Sequence, residues 1–566
     1  MSLMRNFLVL FFFAIICFLP LTAQYSPNAT LLTVGNRKIS AEEFERIYSK
    51  NFTINSSEKQ SVVEYYNLFL NFELKVTAAI DAGLDTLKSF NQELKGYRDQ
   101  LAKSYLTDNE TVDKLIREAY SRMQTEVKVS HIMVMLPQNS SPSDTVKAFR
   151  KISAIRKRLL EGEPFDKLAT EVSEDPSAKS NNGILGYFSV FRMVYPFENA
   201  AYTTKVGEIS MPVRSQFGYH IIKVLGTRPS QGEIKVAHIM VAVPQDAPEK
   251  NWNEAKDKIY KISDRISKGE DFGTLAKELS DDQNSGRNNG ELPLFGSGQM
   301  VSEFEVPAFA LKNPGDVTLP VKTSFGWHII KLIEKQGVKP FEQIKNELKP
   351  KVMRDERAAI ISNSFVTKVK KEYNYKEFPK NLACFYTLDS TIYSGKFNFK
   401  NECKFNTPLL KIEKTEFSTN DFLLFLKTNQ PPAINIKVAN YIDQSFKRFE
   451  EKTFVSYEDM NLEKKYPDFH NLVSEYHDGI LLFNIMEQEV WGKASKDTSG
   501  LANYYKTTWV IDKTDAKPFE EIRGLVTADY QNYLEEKWIE ALKKRFNVTV
   551  NQELLHKIAD KYKFNK

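Results

Sequence analysis

Four of the seven histidines in this 566-residue chain stand in two matched pairs. His131 lies in Lys128-Val129-Ser130-His131-Ile132-Met133-Val134, and His238 in Lys235-Val236-Ala237-His238-Ile239-Met240-Val241. His220 lies in Phe217-Gly218-Tyr219-His220-Ile221-Ile222-Lys223, and His328 in Phe325-Gly326-Trp327-His328-Ile329-Ile330-Lys331. The opening segments are 107 residues apart and the closing segments 108, so a block of about a hundred residues occurs twice, back to back. Each histidine sits among β-branched and alternating residues, which places it in a strand. An imidazole pair can exchange protons near neutral pH. An equally simple reading is a buried pair that only satisfies its own hydrogen bonds. No cysteine or further histidine stands at metal-ligand spacing, so zinc is not indicated.

Between its histidines each block carries the same ordered series. The first has Gly162-Glu163-Pro164-Phe165, Leu168-Ala169, Ser173-Glu174-Asp175, Asn182-Gly183-Ile184-Leu185-Gly186-Tyr187-Phe188, Met193 and Pro196-Phe197-Glu198. The second has Gly269-Glu270-Asp271-Phe272, Leu275-Ala276, Ser280-Asp281-Asp282, Asn289-Gly290-Glu291-Leu292-Pro293-Leu294-Phe295, Met300 and Glu303-Phe304-Glu305. This series resembles the parvulin (PpiC-like) family of peptidyl-prolyl cis/trans isomerases over residues 125–335. The resemblance implies a four-stranded antiparallel sheet wrapped by helices, with the two histidines side by side. It implies an apolar proline pocket of Leu185, Met193 and Phe197 in the first block, and of Leu292, Met300 and Phe304 in the second. Asp175 or Asp282 would face the reacting amide. Ser215 and Thr323 match the family's hydroxyl before the last strand. With His131, His220, His238 and His328 these are the candidate catalytic groups. Rotation about an X–Pro bond breaks no covalent bond, so no metal, nucleotide or other cofactor is expected.

Both copies depart from the family pattern. Ile184 replaces an acidic residue, and Phe191 stands where a glycine precedes the methionine. An altered loop and a partly filled first pocket are expected. The second block keeps Gly298-Gln299-Met300 but has Pro293 at the turn's second glycine. The second block is expected to be the more active. Met193 with Phe197, and Met300 with Phe304, have the i,i+4 spacing of a helix face, which by itself indicates core.

The elements that must hold these residues read as β-α-α-β-α-β-β in each block. In the first, Val146 to Leu160 is amphipathic and Gly162 ends it. Around the blocks the chain is mostly helical. Ser40-Ala41-Glu42-Glu43 is a capping-box start, followed by helical runs from Val62 to Ala79 and from Phe90 to Leu106, with Gly83 between. Phe44, Tyr48, Tyr65, Tyr66, Phe69 and Phe72 are read as core. A second repeat is fainter. Leu31-Leu32-Thr33-Val34 through Phe44 returns as Leu409-Leu410-Lys411-Ile412 through Phe422, offset by 378. Lys339-Pro340-Phe341-Glu342-Gln343-Ile344 returns as Lys517-Pro518-Phe519-Glu520-Glu521-Ile522. Phe519 onward, with Trp538 and Phe546, is expected to close the second copy of the head.

At 566 residues the chain needs several cores. The expected plan is α+β and multidomain: a signal peptide (1–23), a helical head (24–124), parvulin domains at 125–228 and 232–335, a closing helix (336–380), and a helical region (381–566) with a second head and closing helix. Arg5, the apolar run Phe7 to Leu19 and Leu21-Thr22-Ala23 carry the signal-peptide reading, which makes the periplasm the expected compartment. A signal anchor is the alternative. The 78 basic and 73 acidic residues leave a net charge of +5, and no basic stripe with interleaved aromatics suggests nucleic acid. No stable membrane insertion is expected. Cys384 and Cys403 are either a disulfide or two buried thiols. The whole plan resembles the SurA-like chaperone family, which implies binding of unfolded or proline-containing clients, secreted or outer-membrane proteins among them. A non-catalytic binding chaperone and a membrane-anchored PrsA- or PpiD-like foldase are the alternatives.

Overall fold

The computed structural model describes residues 25–54, 61–138, 140–399, 403–430, 436–510 and 518–563. The segment read as a signal peptide, and Lys517, lie outside the described residues. Contacts divide the chain into two units, one made of residues up to Lys103 with those from Leu462 onward, the other of Ser104–Asn461.

In the first unit the head opens with strands rather than helices. Thr30–Val34 and Arg37–Ser40 form a hairpin, turned at Gly35 with φ +59°. The expected cap follows, with Glu43 N–H donating to Ser40 Oγ at 3.1 Å and helix Ala41–Ile54 running on. A third strand, Val548–Val550, joins the hairpin with Leu32 opposite Val550. Leu32, Phe44, Tyr48, Tyr66 and Phe69 bury against Leu542, Leu554, Leu555 and Ile558, with Trp538 and Phe546 packed alongside. The last helix pair therefore closes the first head, not the second as its sequence position suggested. The short apolar strand after Phe546 decides this, because it docks on the edge of Thr30–Val34 and brings its helices with it. In the same unit Tyr97 stacks on Tyr476 at 4.8 Å, Phe90 meets His477 at 5.2 Å, and Arg98 lies 5.4 Å from the Phe469 ring.

The second unit holds both blocks and the second hairpin, Pro408–Ile412 with Thr415–Ser418. Its third strand is Tyr375–Glu377, delivered by helices Phe341–Arg354 and Arg357–Glu372. Phe385, Phe422, Tyr441 and Phe449 fill its core, and a disulfide joins Cys384 to Cys403.

Each block is a four-stranded antiparallel sheet. The spatial order is Ile184–Phe188, Thr125–Met135, Gly218–Pro229, Val213–Ser215 in the first, and Phe295–Gly296, Glu233–Ala242, Gly326–Gln336, Val321–Thr323 in the second. One short helix was not foreseen in each, Ala178–Asn181 and Gln283–Gly286. Strand alternation separates two buried layers. Ile132, Val134 and Ile221 pack under helices Pro142–Leu160 and Phe165–Val172, whereas Val127, Val129, Ile222 and Val224 pack with Phe188 and Phe197. Strand Phe295–Gly296 is shorter than its counterpart. Pro293 has no N–H to give a ladder, which accounts for the loss.

Candidate functional site

The two central strands place the histidines. His131 pairs with Ile222 and His220 with Met133, so the imidazoles are diagonal neighbours on one face. The second domain repeats this, with His238 opposite Ile330 and His328 opposite Met240. The rings stack with centroids 5.8 Å apart in the first domain and 5.6 Å in the second. Phe197 stands edge-on to His131 and His220 at 5.5 and 5.4 Å, and Phe304 to His238 and His328 at 5.7 and 5.4 Å.

Polar partners bracket each pair. In the second domain Asp282 Oδ2 lies 2.9 Å from His238 Nε2, the two Nδ1 atoms are 3.4 Å apart, and Thr323 Oγ1 lies 2.9 Å from His328 Nε2. The Thr323 hydroxyl already accepts the Phe325 N–H at 3.1 Å, which leaves its own proton for His328 Nε2. Asp282 accepts, so His238 carries its proton on Nε2 and His328 on Nδ1. The result is a continuous hydrogen-bonded chain of neutral groups from Thr323 to His238, ending on the Asp282 carboxylate. Burial, reinforced by His238, pushes His328 down to about 4, and burial lowers His238 despite Asp282. Burial raises the Asp282 carboxyl, but hydrogen bonds from Ser285, His238 and Asn284 outweigh it and hold the group below its ordinary value.

The first domain keeps the hydroxyl end, loosens the aspartate end and breaks the middle. Asp175 Oδ2 is 2.7 Å from His131 Nε2, and Ser215 Oγ is 2.7 Å from His220 Nε2. His131 Nε2 lies close to Asp175 without the alignment of a hydrogen bond, and neither Nδ1 finds a hydrogen-bond partner among the described residues. Ser285, which bonds both His238 and Asp282, has Ala178 as its counterpart. Burial, then the neighbouring His131, pushes His220 to about 4. Asp175 also starts the turn at Asp175-Pro176, accepting the Ser177 N–H at 2.8 Å.

The pocket candidates converge in both domains. Leu185 and Met193 lie against buried Phe197, and Leu292 and Met300 against buried Phe304. Val213 and Val321, from the edge strands, join them without having been anticipated. Two expectations need correction. Met193 and Met300 are not on the pocket helices, which begin at Tyr195 and Ser302; the i,i+4 spacing spans a loop. Phe191 does not fill the first pocket. Its φ of +64° turns the ring outward, onto the cluster of Ile116, Ile344 and Leu348. Gly298 takes the same left-handed turn at φ +81°. Ser285, Glu198 and Glu305 are further polar residues of this region; both glutamates stand in the repeated series, and only that repetition hinted at them. Among the described residues no group of three His, Cys, Asp or Glu side chains is placed to hold a metal.

Residues 114–228 and 238–334 each match the PPIC-type PPIASE domain. Fold, paired histidines and pocket together define two tandem parvulin-type domains. Over a longer stretch the chain is similar to Chaperone SurA of Chromohalobacter salexigens, 31% identical over 280 residues that cover 46% of this chain and 63% of that protein. It is 32% identical over 238 residues to Chaperone SurA of Methylobacillus flagellatus, covering 41% and 53%. The chain thus spans about half the length of these curated relatives. Among solved structures it is similar to NmPin, the parvulin of Nitrosopumilus maritimus, at 45% identity over 18% of this chain and 97% of that one, with a TM-score of 0.15. Similarity to PrsA of Bacillus anthracis is 22% over 48% of this chain and 93% of that one, with a TM-score of 0.17.

Proposed function

We propose that the chain is an exported peptidyl-prolyl cis/trans isomerase that also holds unfolded clients, secreted or outer-membrane proteins among them. The observation that carries this reading is the presence of two complete pockets, each an apolar trio seated against a neutral histidine pair. The barrier to rotation is about 18–20 kcal/mol because resonance favours the planar amide. A site lowers it by binding the twisted amide better than either planar isomer. The pocket of Leu292, Met300 and Phe304 grips the proline ring and keeps water from the amide. Asp282 faces the amide, and the hydrogen-bonded chain from Thr323 through His328 and His238 holds that carboxylate in place. Because every member of the chain is neutral except the aspartate, no charge moves during rotation. In the first domain Asp175 faces the amide from beside His131 and Ser215 holds His220, without the link between the imidazoles.

Holding of clients is supported by the similarity to proteins named Chaperone SurA and by the large part of the chain outside the two domains. The Cys384–Cys403 disulfide supports an oxidising compartment, in keeping with the apolar N-terminal run. No helix among the described residues is long and apolar enough to cross a membrane. The test uses the full chain with Met193→Ala, Met300→Ala and both together. Proline-limited refolding of a substrate protein should lose acceleration in steps, with the larger step at Met300. Suppression of aggregation should survive in the double variant. Undiminished acceleration by the double variant defeats the isomerase reading. Loss of aggregation suppression in it places client holding in the pockets.

A further inference from the structure

The loop that carries each pocket methionine is tied to the pocket helix through a glutamate carboxylate of that helix. Phe191 N–H donates to Glu198 Oε2 at 2.8 Å, and Gly298 N–H to Glu305 Oε2 at 2.7 Å. The donor stands two residues before the methionine, and the acceptor directly follows the pocket phenylalanine. This bond therefore sets the distance between two of the three pocket members. Phe191 tolerates the left-handed turn that Gly298 adopts freely, so something must hold its ring in place.

In the first domain that something comes from elsewhere in the chain. Glu198 is fully buried, and its other oxygen, Oε1, is bonded to Arg122 Nη1 at 2.8 Å and to Arg357 Nη2. Arg357 opens helix Arg357–Glu372, beyond the end of the second parvulin domain, and its side chain is itself fully buried. Its guanidinium lies 4.8 Å from the Phe191 ring centroid and 4.3 Å from that of Tyr195. One side chain thus grips the carboxylate, the loop aromatic and the first residue of the pocket helix. Among the described residues no arginine forms an ion pair with Glu305. It accepts the backbone N–H groups of Gly298 and Met300 instead.

We infer that Glu198 is a positioning residue of the first proline pocket and that Arg357 sets its place, so that the packing of helix Arg357–Glu372 governs the first pocket and not the second. This rests on the pocket assignment made above. The full chain tests it in two backgrounds, Met300→Ala to report on the first pocket and Met193→Ala on the second. Arg357→Met should raise KM for a proline peptide by about tenfold in the first background, with kcat little changed, and leave the second background unaltered. Arg357→Lys, which keeps the charge and loses the fork, should recover part of the loss. A second readout needs no activity. In a chain labelled with 13C-methyl methionine, the Met193 resonance should move in Arg357→Met while Met300 stays, and the exposed Arg354→Met should move neither. A Met193 resonance unmoved by Arg357→Met overturns the inference. Equal movement of Met193 and Met300, or equal KM changes in both backgrounds, overturns it as well, since that marks general loosening. A wild-type chain that accelerates no isomerisation would defeat the isomerase reading, and the methyl shifts would still decide this one.

Discussion

Lowering the pH from about 7.5 to about 4.5 should open the second parvulin sheet, and one imidazole supplies most of the effect. His328 is held near 4 by its burial and by His238, against 6.5 for a free histidine. In the fold it stays neutral down to about pH 4, whereas the opened strand takes up a proton near 6.5. Between those values opening binds a proton, so stability is complete above about 6.5 and falls as the pH drops toward 4. Linkage gives a loss of roughly 2.5 kcal/mol over that range, or roughly 70-fold in the opening constant. His238, also lowered, adds in the same direction. Asp282 does not contribute in this window, because its depressed carboxyl loses its stabilising effect only below about 3.9. Glu305, raised by burial, works the other way and reduces the net change. The assay is hydrogen exchange of strand Gly326–Gln336, corrected for the intrinsic pH dependence, in the wild type and in His328→Gln. The wild type should lose protection on acidification and the variant should lose much less. Protection that stays flat or rises in the wild type refutes the argument, and so does an equal loss in the variant.

Other outcomes follow from particular contacts. Ala178→Ser supplies the hydroxyl that Ser285 gives the second domain, so it should slow exchange of His131 and bring its NMR titration closer to that of His238. Leu555→Ala removes a buried side chain from the first head and should cost about 2–5 kcal/mol, read as faster exchange in Thr30–Val34. Cys384→Ala opens the 19-residue link and should cost about 3 kcal/mol, seen as an earlier urea transition for the region around Phe385 and Phe422. The same shift should appear in the wild type on adding reductant.

Much of the site was legible because its signals are local. Alternation around His131, His220, His238 and His328 marks strands, and the apolar trios recur in order between them. The head's first helix could be read from Ser40 and Glu43 because a capping box spans only four residues. What escaped depends on distance in the chain. Val548–Val550 is too short for a period to show, and its partner lies near the other end of the sequence. Phe191 looked like a pocket filler because a sequence shows a side chain's size and not the direction a positive φ gives it. Arg357 reads as an ordinary helix-start residue, and its link to Glu198 bridges 159 positions. Met193 and Phe197 show the opposite failure, where correct spacing suggested a helix across what is a loop.

The strand pairing that closes the first head has a consequence for synthesis. Leu32 waits for Val550, more than five hundred residues later, and Leu542, Leu554 and Ile558 arrive with it. At about 5–20 residues per second, that interval is roughly half a minute to two minutes of translation. Throughout it the buried face of Leu32, Phe44 and Phe69 has no lid. Both parvulin domains and the second hairpin with its strand Tyr375–Glu377 are meanwhile complete. The nascent chain thus finishes its proline-handling parts before its own first head can fold. During that time its N-terminal segment is itself an unfolded, aromatic-rich polypeptide in need of cover.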